Sequence, residues 1–384
     1  MAQRLLVNWV THPLVGMTVE GLRWVSAFRA ENPELEIGLL LASDAPVALA
    51  QCLPALDCLY TIDVDACCNE RRLVTEPPLP ADWDYLFTDP RNHPPTAHSS
   101  LHMIDNMLRD YLVDAACNQG WTLAALPAHR HRPVRLALPP ALLQSAAAQL
   151  PPGQTPVISL LHGSAAEASR TPPPAFWQQL ISALQQRHPD AVVVLIGSLK
   201  GQGQRTLGVD RAQIDTLSST FDRIVDAVDL PLLEQLALAQ LADVHISPHT
   251  GMAFAIQCVG TPWLALSGAR EVEYVFNGVP CASVYPGCDR YPCGEWVGRS
   301  GYRMYRRCEV LKQLGKPFDC LSASALAARL EEILDRTDEL IAGRIDYHEA
   351  LRQHVAEIAR RTDLPPQGNF LEGGEHVLAA DFLY

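Results

Sequence analysis

Residues 242–268 read ADVHISPHTGMAFAIQCVGTPWLALSG and contain the main signal for the fold. The short apolar run at the start has the length of a buried strand, and a turn that ends in Gly251 follows it. Because Thr250 is a residue type that caps helices, we expect a helix over residues 252–259, which the Gly-Thr-Pro sequence after it ends. Trp263–Leu266 predicts a second buried strand. The order strand, turn, helix, strand is typical of a crossover in a parallel α/β sheet.

The start of this predicted helix has the properties of an anion-binding site. In a parallel sheet, a helix that follows a strand begins at the carboxyl edge of the sheet, where ligands bind. The free N–H groups of the first turn and the positive end of the helix dipole suit a diphosphate there. Gly251 lets the backbone approach such a ligand closely. A crossover that binds no ligand would show the same order of elements, so this alternative stays open.

The length and composition of the chain indicate a globular protein of two domains. With 384 residues, the chain exceeds the usual size of one compact core. The Pro-rich segment over 150–156 is the strongest linker candidate, because adjacent prolines disfavour helices. We therefore expect an α/β protein with two Rossmann-like domains, over 1–150 and 151–340, that face each other across a cleft. A C-terminal helix and tail, residues 341–384, complete the chain.

Charge and hydropathy exclude several classes of partner. The net charge of -13 argues against a nucleic-acid or anionic-membrane surface, since both need dense Lys and Arg. The N-terminus has no signal-peptide core, and no apolar run reaches the roughly 18 residues that a transmembrane helix needs. We expect a cytoplasmic protein with no nucleic-acid partner and no transmembrane segment.

Several segments of the second half together resemble glycosyltransferase family 9, the bacterial heptosyltransferase-like enzymes with a GT-B fold. The resemblance lies in the order of the motifs between residue 157 and about residue 335: VISLLHGSAAEASRTPPPAFWQQLISAL, VVVLIGS, DLPLLEQLALAQLADV, SPHTGMAFAIQCVGTPWLALSG and GKPFDCLSA. It implies transfer of a sugar, such as a heptose, from a nucleoside-diphosphate donor to a hydroxyl of a glycan or a protein. It further implies inversion at the anomeric carbon and no cofactor in the chemical step.

The resemblance also implies which residues bind the donor phosphates. They lie in the turn before the predicted helix and in the loop after the first strand of the second domain: His249, Thr250, Gly251, Gly163 and Arg170. A guanidinium can bind phosphate oxygens through two hydrogen bonds and offset the charge of the leaving diphosphate. The alternative for Arg170 is a solvated loop arginine. The sequence departs from the family at His249, where Asp is usual, and at Phe254, where His is common.

The catalytic base is harder to assign, because the first half departs from the family pattern. The early Gly-Asp turn, whose Asp can serve as the base, has no counterpart, and Leu14 stands in the aligned region. Three other groups could accept a proton from an acceptor hydroxyl: His12, Glu20 and Asp89. Each has a structural alternative, since His12 and Asp89 suit turns and Glu20 suits a solvent-facing helix position.

Four of the eleven cysteines fall in one irregular segment of the second half: Cys288, Cys293, Cys308 and Cys320. Without a secretory signal, reduced thiols or metal ligands are expected rather than disulfides. Four thiolates could hold a structural zinc or iron ion. Since no Cys-x-x-Cys pair is present, partly buried free thiols are the alternative. Some relatives that glycosylate bacterial autotransporter proteins resemble this pattern in carrying an iron-bound cysteine cluster.

Two other functions stay open at this point. A nucleotide-sugar epimerase or hydrolase of similar architecture would turn over the donor without an acceptor. A non-catalytic GT-B-like interaction module would fit the missing N-terminal Asp and the histidine at position 249, and it would bind nucleotides weakly or not at all.

Overall fold

The structure of the protein is a computed structural model that divides into two compact units between Ala137 and Leu138. Each unit has its own largely parallel sheet, as the near-continuous apolar strands predict. The structure describes residues 3–10, 13–88, 99–112, 133–163, 168–199, 210–268, 276–288, 291, 294–296, 302–304 and 306–362.

The first unit contains a five-stranded sheet in the order β4-β3-β2-β1-β5. The strands are β1 (Arg4–Asn8), β2 (Glu36–Ala42), β3 (Cys58–Ile62), β4 (Thr75–Glu76) and β5 (Tyr85–Thr88). The helices described in this unit are α1 (Val15–Glu31), α2 (Val47–Gln51), α3 (Val64–Glu70) and α4 (Ser99–Tyr111). Strand β4 is antiparallel to β3, and the other neighbours are parallel. Since β2 and β5 flank β1 on opposite sides, the strand order reverses between β1 and β5.

Aromatic side chains hold α1 against the first sheet. The Trp24 and Phe87 rings lie 4.7 Å apart, and the Phe28 and Phe87 rings lie 5.2 Å apart. Trp9 donates a hydrogen bond from Nε1 to the carbonyl of Met17 at 2.7 Å. A Cβ at Gly21 would lie 2.6 Å from the Trp9 ring, so only glycine allows this close approach.

The second unit contains a six-stranded parallel sheet in the order β11-β10-β9-β6-β7-β8. The strands are β6 (Val157–Leu161), β7 (Val192–Ile196), β8 (Ile224–Asp226), β9 (Val244–Pro248), β10 (Trp263–Leu266) and β11 (Cys281–Val284). A separate antiparallel pair is formed by β12 (Gly294–Trp296) and β13 (Tyr302–Met304).

Nine α-helices of the second unit are described. They are α5 (Pro140–Gln149), α6 (Pro174–Arg187), α7 (Arg211–Thr220), α8 (Leu232–Gln240), α9 (Gly251–Cys258), α10 (Arg306–Gln313), α11 (Ala323–Ala327), α12 (Leu330–Ile341) and α13 (Tyr347–Thr362). Short 3₁₀ helices lie at Ala168–Arg170 and Asp319–Leu321. None of the helices in the described part of the chain is both long enough and apolar enough to cross a membrane.

The crossover predicted from residues 242–268 is confirmed. Strand β9 leads through a turn into α9, and β10 follows parallel to β9. Thr250 accepts a hydrogen bond on its side chain from the Ala253 N–H, so the predicted cap is present. Gly260 follows the end of α9 with a φ of 95°, a conformation that glycine adopts without strain.

The connections of the second sheet define where its strand order reverses. Chain order runs from β6 to β7 on one side and from β9 to β10 on the other, with β6 and β9 adjacent. All strands of this sheet are parallel, but the connections cross it in two opposite directions. Because each crossover is right-handed, the helices of connections that cross in opposite directions lie on opposite faces of the sheet. Accordingly, α6 packs with α11 and α12, whereas α8 packs with α5 and α9.

The division between the units differs from the expected boundary at residue 150. Helix α5 precedes the Pro-rich segment and packs on α8, so it belongs to the second unit, which begins at Leu138. The prolines therefore connect α5 to β6 within one unit. They do not separate the two units.

Candidate functional site

The start of α9 lies at the carboxyl edge of the second sheet, beside the point where the strand order reverses. This edge between β6 and β9 is the position at which open α/β sheets bind their ligands. Gly163 follows the end of β6, and Thr250 and Gly251 follow the end of β9. His249 directly follows β9 as well, so the structure brings four of the five predicted phosphate-binding residues to the ends of two neighbouring strands.

The hydrogen bonds at the helix start determine which N–H groups can face a ligand. The Ala253 N–H donates to the Thr250 hydroxyl at 3.2 Å, and the Phe254 N–H donates to the Thr250 carbonyl at 3.4 Å. The N–H groups of Gly251 and Met252 have no acceptor within the helix, as in the first turn of any α-helix. An anion at this edge would accept hydrogen bonds from them and lie at the positive end of the helix dipole.

His249 contacts Phe254 across the first turn of α9. The two rings meet edge to face, with centroids 5.1 Å apart and an interplanar angle of 87°. These are the two positions at which the sequence departs from the family 9 pattern. The two unusual residues are therefore in contact with each other, with the imidazole of His249 packed on the ring of Phe254.

Arg170 lies at the end of the 3₁₀ helix Ala168–Arg170 and is half-buried. The backbone of this helix is held by a 2.9 Å hydrogen bond from the Phe318 N–H to the Ser169 carbonyl. Arg170 also interacts with other residues of the chain. The alternative considered above was an arginine that only contacts solvent. Residues 164–167, between Gly163 and this helix, lie outside the described part.

The three candidates for the catalytic base have different outcomes. His12 and Asp89 lie outside the described residues. Glu20 lies on α1 and is buried, with a relative exposure of 5%, so the solvent-facing alternative is wrong. Leu14 occupies the N-cap position of α1 and provides no side-chain cap.

The structure shows a polar group in the first unit that the sequence did not single out. Asn8 and Thr88 are the last residues of β1 and β5 and are register partners. The Thr88 hydroxyl donates to the Asp105 carboxylate at 2.7 Å, and Arg109 donates to the same carboxylate at 3.0 Å. The four side chains lie on three separate elements. Their proximity comes from strand order, so no short sequence pattern could have revealed it.

The predicted metal ligands are only partly described. Cys308 and Cys320 are buried in the core of the second unit, and Cys288 packs against it. Cys293 lies outside the described residues. Within the described ranges, no group of three or more His, Cys, Asp or Glu side chains is arranged to hold a metal ion.

Two histidines are buried at the second sheet, one on a strand and one directly after a strand. His245 lies on β9, and its Nδ1 is 2.9 Å from the Ser159 hydroxyl. Burial lowers the pKa of His245 to about 3. His162 follows β6, and burial, together with the charge of Arg211, lowers its pKa to about 4. Both imidazoles are therefore neutral at pH 7.

Comparison with known proteins finds similarity among solved structures. No protein-family model matches the chain, and no curated protein matches it. A glycosyltransferase of family 9 from Veillonella parvula is 13% identical with a TM-score of 0.57, and the match covers 89% of this chain and 98% of that chain.

Two structures from E. coli also match. The ADP-heptose lps heptosyltransferase II is 11% identical with a TM-score of 0.52, and the match covers 88% of this chain and 99% of that one. The iron-containing dodecameric glycosyltransferase TibC is 14% identical with a TM-score of 0.51, with 88% and 80% covered.

The two parallel-sheet units and these matches define the class of protein: the chain has the GT-B fold. The resemblance to glycosyltransferase family 9, first drawn from the order of motifs, is confirmed at the level of the fold.

Proposed function

We propose that the chain is a glycosyltransferase that moves a sugar from a nucleoside-diphosphate donor to a hydroxyl of a glycan or a protein. The observation that carries the proposal is the start of α9 at the reversal point between β6 and β9. The GT-B fold shared with family 9 structures supports it. Because one matching structure is an ADP-heptose heptosyltransferase, ADP-heptose is the first donor to test.

In the proposed reaction, an acceptor hydroxyl oxygen attacks the anomeric carbon, and the bond from that carbon to the diphosphate oxygen breaks. The proton of the hydroxyl goes to a base, for which His12, Glu20 and Asp89 stay the candidates. Attack from the side opposite the leaving group inverts the anomeric carbon. The first unit would bind the acceptor, and the second would bind the donor.

Charge builds on the diphosphate as it leaves, and two groups of this chain would stabilise it. The N–H groups at the start of α9 present fixed positive dipoles that need no reorganisation. The Arg170 guanidinium adds a full charge that can bind two oxygens. The proposed chemistry therefore draws its positive charge from the protein itself.

Calorimetric titration with ADP-, GDP- and UDP-sugars tests the proposal, with an Arg170→Gln variant to locate the site. Loss of a hydrogen bond to a charged group should weaken donor affinity about tenfold or more. The matched control is Arg187→Gln, because Arg187 ends α6 and pairs with Asp335 and Asp338 on α12. The control should keep the affinity of the parent protein. Equal affinity in the Arg170 variant would contradict the assigned site.

Donor turnover with and without acceptors distinguishes the remaining functions. Release of sugar that needs no acceptor would indicate a hydrolase, and a changed sugar on the intact nucleotide would indicate an epimerase. Failure of every nucleotide sugar to bind would favour the non-catalytic module.

We also propose a structural zinc or iron ion at Cys288, Cys293, Cys308 and Cys320. Cys308 and Cys320 lie in the core cluster of the second unit and Cys288 packs against it, but these three described cysteines do not form a metal-binding group by themselves. One matching structure, TibC, is an iron-containing glycosyltransferase. Elemental analysis of the purified protein tests the proposal, and a Cys293→Ser variant should lose the metal. Protein that contains neither metal would contradict it.

A further inference from the structure

A cavity of about 70 Å³ lies between α6 and α7 and opens partly to the surface. Trp177 of α6 and Leu217 of α7 form apolar parts of its wall, and His162, just after β6, also lines it. Most of the wall consists of carbon atoms. None of the donor-site residues proposed above lines this cavity.

His162 is the unusual residue in this wall. Its relative exposure is 1%, and neither ring nitrogen has a hydrogen-bond partner. A buried polar group without a partner costs about 1 to 3 kcal/mol. Because the χ2 torsion of histidine is broad, a modest rotation can turn a ring nitrogen toward the cavity. A ligand with a hydrogen-bonding group would then recover the lost interaction.

Other polar groups at the wall are already engaged. The Trp177 Nε1 donates to the Pro172 carbonyl at 3.1 Å, and the Thr216 hydroxyl donates to the Ala212 carbonyl at 2.7 Å. The Gln213 side chain accepts a hydrogen bond from the Asp210 N–H at 3.2 Å. The half-buried Gln178 also lines the described wall and is a second candidate partner for a ligand.

The size and polarity of the cavity favour an organic ligand over water. Its volume has room for several waters, but each buried water needs two to four polar partners. The described wall offers too few groups to satisfy several waters. An enclosed apolar cavity of about 150 Å³ can bind benzene, and this smaller cavity opens to the surface, so that part of a small ring can remain outside it.

We propose that this cavity binds a small uncharged molecule that has an apolar ring or short chain and one hydroxyl or N–H group, which hydrogen-bonds to His162. The neutral imidazole suits such a group, because one ring nitrogen donates and the other accepts. None of the proposed donor-site residues lines this site, although His162 directly precedes Gly163 in the chain, and the inference does not depend on the proposed function.

Binding of phenol and benzene, which differ by one hydroxyl, tests the proposal. We expect calorimetry on the full chain to show phenol binding about fivefold or more tighter than benzene, as one hydrogen bond provides. In a His162→Leu variant, phenol affinity should fall to the level of benzene. This variant should fold, since an apolar group replaces an unpartnered polar one. A Leu217→Trp variant should bind neither compound, because the indole fills the cavity.

Gln178→Leu is the matched control, since it removes another polar side chain from the same wall. It should leave the preference for phenol unchanged. The proposal is overturned if neither compound binds the parent protein, if both bind equally, or if phenol affinity depends on Gln178 instead of His162.

Discussion

At the scale of single residues, Thr250 links the stability of α9 to the candidate phosphate site. Its hydroxyl accepts the Ala253 N–H, and its backbone precedes the glycine that would contact a ligand. One side chain thus fixes the direction in which the first turn of the helix presents its remaining N–H groups.

We expect Thr250→Ala to lower the free energy of unfolding by about 1 kcal/mol, because the variant loses a helix N-cap. Thr250→Ser keeps the hydroxyl and should retain most of the stability. Urea denaturation followed by circular dichroism measures both variants. Equal stability of the Ala and Ser variants would show that the cap contributes little here.

Buried neutral histidines make the stability of the protein depend on pH. The folded protein holds the pKa of His245 at about 3 and that of His162 at about 4, whereas an unfolded histidine titrates near 6.5. Between these values the unfolded state binds more protons. The free energy of unfolding should therefore be highest above about pH 6.5 and should fall as the pH drops toward 4, by up to about 1.4 kcal/mol per pH unit for each histidine.

The matched variants for this prediction are His162→Leu and His348→Gln. The first should flatten the dependence on pH, since it removes one of the two groups. The second changes an exposed position on α13 and should leave the dependence as it was. Denaturation curves between pH 5 and 8 would decide, and an unchanged slope in His162→Leu would contradict the assignment.

At the scale of elements, the carboxyl edge of β10 packs directly against the 3₁₀ helix Asp319–Leu321. A Cβ at Gly268 would lie 2.6 Å from Leu321 Cδ2 and 3.2 Å from Cys320 Sγ. The two elements are distant in sequence, so their contact depends on the absence of a side chain at one residue.

Gly268→Ala should therefore destabilise the protein by about 1 to 3 kcal/mol, the usual cost of an overpacked core. Gly287→Ala is the control, because a Cβ there meets nothing within 4 Å. Thermal unfolding of both variants gives the comparison. A Gly268 variant as stable as the control would mean that the 3₁₀ helix shifts at little cost.

At the scale of the whole molecule, the two units place α5 with the second sheet. The helix lies before the Pro-rich segment in sequence and on α8 in space. We expect a fragment over residues 138–384 to unfold cooperatively and to be more stable than a fragment over 151–384. The shorter fragment exposes the part of α8 that α5 covers. Denaturant titration of both fragments tests this, and equal midpoints would place the boundary at the prolines instead.

The amino-acid sequence alone predicts the central crossover of the second unit. Residues 242–268 contain a strand, a capped turn, a helix and a second strand within one short segment, and each follows from local chemistry. The order of motifs in the second half predicted the GT-B fold correctly. It also assigned Gly163, Arg170, His249, Thr250 and Gly251 to one phosphate site, and that assignment stays a prediction.

Which distant elements meet depends on packing in three dimensions. Strand pairing places β6 beside β9 and Asn8 beside Thr88. Helix packing brings Asp105 to Thr88 and buries Glu20, for which the sequence suggested a solvent-facing position. The position of α5 also depends on packing, because this helix packs on α8, which follows the Pro-rich segment in the sequence. Capping and periodicity act within a few residues, whereas burial of apolar surface depends on contacts between segments far apart in the chain.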